Sequence, residues 1–99
     1  MNQGKSAHIA EIGQERFDRA LMLAELEIRK DSHFVGMDKI RAMIAEAIAL
    51  KATGYKVNGI SFGRNADPPA ETVEICDKLF RSIVPIVTLQ LGRKKKAPA

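Results

Sequence analysis

Between residues 37 and 54 the apolar positions recur at helical spacing. Ile40, Met43, Ile44, Ala47 and Ile48 fall at i, i+3, i+4, i+7 and i+8, which is one stripe of an α-helix. Met37 and Leu50 widen the stripe at its edges. Ala42, Ala45 and Ala49 lie to the other side, where alanine's high helix propensity is reason enough for them. A second use of such a lane is to let another backbone come close. Gly54 stands where a left-handed C′ residue belongs, with Leu50 and Tyr55 at the C3 and C″ positions of a Schellman motif. Lys51 in the last turn suits the helix dipole. Asp38 is the candidate start, although no Glu or Gln follows three residues later to complete a capping box.

The same periodicity predicts a long helix over residues 6–30, open to interruption at Gly13. Ala10, Gly13, Phe17, Leu21, Ala24 and Ile28 share one face, while Ile12, Met22, Leu23 and Leu26 gather on another. A helix with two apolar sides contacts two things, and in a short chain the second is expected to be another copy. Residues 31–36 connect the two helices as an antiparallel hairpin, with Phe34 and Val35 expected to plug its open end. Residues 55–62 read as a tight β-hairpin about Asn58-Gly59, the preferred pair for a type I′ turn, or else as one irregular strand. Asp67-Pro68 signals the start of a third helix, with Val73, Cys76, Phe80 and Ile83 as its stripe. Pro85 is expected to end that helix near Ser82, leaving Ile86 to Leu91 as a short strand. The rival is a kinked helix continuing to Leu91, because Ile83, Val87 and Leu91 also keep helical spacing. The expected fold is therefore α+β and mainly helical, in the order α-α-β-α-β.

Length and charge refine this picture. Ninety-nine residues make one small domain, expected to span residues 1–92, followed by a disordered basic tail at 93–99. The formal net charge is +4, from 16 basic and 12 acidic residues, and Arg93, Lys94, Lys95 and Lys96 carry four of those bases. Residues 1–92 are thus formally neutral, which argues against a basic excess spread over a nucleic-acid-reading body. No run of about eighteen apolar residues predicts a membrane span, so no membrane partner is expected. A single cysteine, Cys76, cannot form an internal disulfide and suits a reducing, cytoplasmic compartment.

Catalytic chemistry finds little support. Gly59-Ile-Ser61-Phe-Gly63 matches the G-x-S-x-G pattern of a nucleophile elbow, but both histidines, His8 and His33, precede the serine. That elbow needs its base after the serine and a strand–turn–helix to carry it. Neither histidine has a partner at metal-ligand spacing, and Cys76 lies on an inner stripe, where a thiol acts as a small hydrophobe. No enzyme, cofactor or metal site is expected. The expected role is a small interaction or regulatory protein that binds another macromolecule through a helical surface, as adaptor, inhibitor or assembly factor. Its dimer interface would be Ile12, Met22, Leu23 and Leu26, with Glu15 and Arg19 at the rim. The alternative is a dimeric nucleic-acid-binding regulator using the tail residues Arg93, Lys94, Lys95 and Lys96 together with Lys56 and Arg64. If Ser61 is no nucleophile, a fluorophosphonate probe should leave it unlabelled in the native protein; labelling at Ser61 would show the opposite.

Overall fold

The computed structural model describes residues 13–62 and 68–92. It contains three α-helices: α1 (Gln14–Ile28), α2 (Asp38–Ala52) and α3 (Ala70–Leu91). A single 3₁₀ turn, Ser32–Phe34, lies between α1 and α2. Each helix packs on the other two. Among the described residues there is no strand, so the α+β expectation is overturned: the fold is an all-helical three-helix arrangement.

Helix α2 is the best buried of the three. Its buried residues are Ile44, Ala45, Ile48, Ala49, Leu50 and Ala52, and Ile40 and Ala47 pack partly against the same core. Relative to the expected stripe, the buried arc reaches about a quarter turn further, over the alanine lane. A helix gripped from two sides needs a wider apolar arc than a simple amphipathic one. Ala42, in line with Ala45 and Ala49, borders the same surface depression as Glu25, Ile28 and Arg29 of α1, so the lane faces α1. On α1, Ala20 and Ala24 are also fully buried. Small side chains on both helices let their axes approach closely.

The Schellman motif forms as the sequence indicates. The Tyr55 amide donates to the Leu50 carbonyl at 2.8 Å and the Gly54 amide to the Lys51 carbonyl at 3.0 Å. Gly54 has φ 104°, a conformation that favours glycine. At the other end Asp38 is inside the first turn rather than a cap, and it pairs with Arg41. In the connector the Asp31 carboxylate accepts from the His33 amide at 2.9 Å. Phe34 is fully buried and plugs the hairpin, whereas Val35 stays 74% exposed.

Two further expectations fail for physical reasons. A type I′ turn needs positive φ at both central residues, yet neither Asn58 nor Gly59 has it. Residues 55–62 instead run without a partner strand, and Tyr55, Val57, Ile60 and Phe62 pack partly on the core while Lys56, Asn58 and Ser61 point outward. The alternation was real, but helices rather than a second strand receive it. A Cβ at Gly59 would lie 3.8 Å from Asp77 Oδ1, which sets this segment against α3.

The second failure is at Pro85. The helix passes through it to Leu91, with Pro85 on the exposed side. Proline removes the hydrogen bond to the Arg81 carbonyl, but Arg81 is exposed and water can serve that oxygen. Continuing the helix keeps Ile83 and Val87 buried in line with Thr72, Cys76 and Phe80. Burial of two β-branched side chains outweighs one hydrated carbonyl. The helix also begins later than expected, with Pro69 as its N-cap and Thr72, not Val73, leading the buried line. Asp67, the expected cap, and residues 6–12 of the expected first helix lie outside the described residues.

The exposed proline gives a direct check. Pro85→Ala should raise the stability by about 1–3 kcal/mol in urea denaturation, because it restores a helical hydrogen bond and creates no cavity. A loss of stability would show that the ring makes stabilising contacts of its own.

Candidate interaction surface

Helix α1 buries Phe17, Ala20, Ala24 and Ile28. At about 100° per residue, Met22 and Leu26 stand on the diametrically opposite side. They are 52% and 51% exposed. Four residues apart, they form one contiguous apolar spot. Glu15, Asp18, Arg19, Glu25 and Arg29 surround it, all exposed. Two open depressions flank the face. One is bordered by Glu15, Arg16, Arg19 and Leu91, the other by Glu25, Ile28, Arg29, Asp38, Arg41 and Ala42.

Of the four residues expected at a dimer interface, the structure brings Met22 and Leu26 together. Leu23 is turned aside, half-buried and packed against the core. Its position one residue from Met22 rotates it about 100° toward the flank. Ile12 lies outside the described residues. So do Arg64, Arg93, Lys94, Lys95 and Lys96. Lys56, the remaining nucleic-acid candidate, is exposed on the segment that runs beside α3.

A second surface escaped the sequence reading. The C-terminal half of α3 exposes Leu89 (74%) and Ile86 (37%), next to exposed Lys78, Arg81, Ser82 and Pro85. Reading residues 86–91 as a strand hid this face, because a strand sends Ile86 and Leu89 to opposite sides. One signal could have found it. No Asp or Glu occurs after Asp77, while Lys78, Arg81, Arg93, Lys94, Lys95 and Lys96 all follow it. The basic excess is therefore not confined to the tail. The end of α3 also meets the start of α1, where Arg16 Nη2 donates to the Gly92 carbonyl at 3.4 Å.

The residues weighed for catalysis are scattered. Ser61 is exposed in an irregular stretch, and His33 is exposed in the connector, its ring edge-on to Phe34 at 5.0 Å. No group of three or more His, Cys, Asp or Glu among the described residues is placed to hold a metal ion. Cys76 is fully buried. Burial pushes its thiol above the ordinary value, and the neighbouring Asp77 carboxylate adds to the shift. Comparison with known proteins returns no matching family model, no matching curated protein and no matching solved structure.

The Cys76 shift has a readable consequence. The unfolded chain releases the thiol proton near the ordinary value of 9.0, and the folded chain holds it to higher pH. Stability should therefore be intact below pH 9.0 and fall as pH rises from there through the folded value. Cys76→Ala should lack this component of the alkaline decline. A thiol reagent such as DTNB should modify the parent only on the timescale of unfolding; fast modification at neutral pH would contradict the burial.

Proposed function

We propose that this chain is a small, non-enzymatic interaction protein that binds another macromolecule through a helical surface, as an adaptor, inhibitor or assembly factor. The reading includes self-association in a reducing, cytoplasmic setting. One observation carries it: Met22 and Leu26 lie on the side of α1 that the rest of the described chain does not cover. No helix among the described residues is long and apolar enough to cross a membrane, so a bilayer core does not account for that exposure.

Charge supports a second copy as one occupant of this face. Glu15 and Arg29 lie seven residues to either side of Met22. An antiparallel pairing of two α1 helices with Met22 on the two-fold axis brings each Glu15 toward Arg29 of the other copy. Leu26 then meets the aliphatic stem of Arg19 across the interface. The rim ion pairs add little, about 0–1 kcal/mol each, and serve mainly to set orientation. Each apolar side chain fully buried adds about 1.5–3 kcal/mol. One helix of this length spans about 22 Å, so the contact is short and the dimer is expected to be weak.

Sedimentation equilibrium at tens of micromolar tests the dimer. The parent should sediment as a dimer and Met22→Glu with Leu26→Glu as a monomer that keeps its helical content, because both positions are exposed in the single chain. A monomeric parent removes self-association from the proposal. A double variant that remains dimeric places the interface elsewhere.

A further inference from the structure

We propose that the depression between α1 and α2 takes the acidic start of α1 from a second copy of the chain, so that α2 forms part of the dimer interface. The inference rests on the self-association read above and adds Asp18 and Arg41 to it. Charge is unevenly spread along the outer side of α1. Glu15 and Asp18 stand exposed near its start and Arg29 at its end, with Met22 and Leu26 between them. A parallel pair of such helices sets like charges against like. An antiparallel pair sets the acidic start of one against Arg29 of the other.

The flanks decide what else meets. At about 100° per residue, Asp18 and Arg29 are turned from Met22 to the same flank, by about 40° and 20°. Arg29 borders a depression with Asp38, Arg41 and Ala42, so this flank faces α2. Arg19 is turned the other way and borders the depression with Leu91 of α3. A two-fold axis perpendicular to two antiparallel helices keeps each flank on its own side, so the α2 flanks of the two copies meet. With Met22 at the axis, Arg29 is level with Glu15 of the other copy and about 4.5 Å along the helix from the level of its Asp18. Two carboxylates thus approach the rim that Arg29 shares with Arg41. Arg41 already pairs with Asp38, but a guanidinium has N–H donors to spare for a second carboxylate. Glu25 borders the same depression and opposes this contact, yet it is turned about 60° from Met22 and so stands further from the other copy than Arg29. A foreign partner must bring a matching acidic helix of its own. A second copy supplies one by symmetry, at both ends of the contact at once.

The experiment uses two charge-reversed variants of the full chain. Arg29→Glu with Arg41→Glu makes the rim acidic, and Glu15→Arg with Asp18→Arg makes the start of α1 basic. Each alone should sediment as a monomer at tens of micromolar where the parent is a dimer, a loss of affinity of about tenfold or more. Mixed in equal amounts they should form a heterodimer, because each then presents the opposite charge to the other at both ends. A second measurement leaves most of the charges in place. Chains carrying Glu15→Cys and Arg29→Cys should cross-link with each other on mild oxidation and neither with itself, since Cys76 is buried and takes no part. Circular dichroism checks that every variant keeps the helical content of the parent; if a reversed variant does not fold, the cross-link decides. A monomeric parent overturns this proposal together with the self-association beneath it. A dimeric parent whose reversed variants both stay dimeric, whose folded variants do not recombine, or whose positions 15 and 29 do not cross-link, overturns this docking alone and leaves self-association standing.

Discussion

The close approach of α1 and α2 is the constraint on which the rest of the structure depends. Ala45 and Ala49 on α2 and Ala20 and Ala24 on α1 are all fully buried. Small side chains on both helices permit a close approach, and the larger Ile44 and Ile48 complete the core. With that hairpin fixed, Phe34 closes its loop end and α3 lies across both helices. The Schellman turn at Gly54 then directs the chain onto the extended segment that runs to α3. Close-packed alanines also explain why α1 spends its large outward residues elsewhere. Met22 and Leu26 cannot join a seam on the opposite side of their own helix.

Much of this was legible in the residues. The hairpin of two helices, the cap at Gly54, the plug at Phe34 and the inner position of Cys76 all follow from local rules with narrow geometry. What misled was local signal without tertiary context. Asn58-Gly59 offers a hairpin turn, but a hairpin needs two arms that gain from pairing, and here the apolar side chains gain more from the helices. Pro85 offers a helix stop, but its ring faces water and the helix continues because Ile83 and Val87 have a core to enter. The alanine lane was undervalued for the same reason: propensity explains an alanine anywhere, whereas its burial depends on a partner helix that the local pattern does not name.

The surfaces were legible only in part. Splitting the charge at the tail concealed that acidic residues stop at Asp77, so that the sequence from Lys78 onward carries basic residues alone. The exposed apolar spots on α1 and α3 differ in their surroundings. On α1 both signs of charge ring Met22 and Leu26, which suits a self-complementary contact. On α3 the nearest exposed charge to Ile86 and Leu89 along the helix is Arg81.

The alanine seam is tested most directly by the stability of Ala49→Leu, measured by urea denaturation. Ala49 is fully buried, so three added carbon atoms have no space unless the packed helices move apart. The account predicts a loss of about 1–3 kcal/mol or more, with the helical content of the native state retained. A variant as stable as the parent, or more stable, would mean that the helices do not approach closely there, and the account of the core would be wrong.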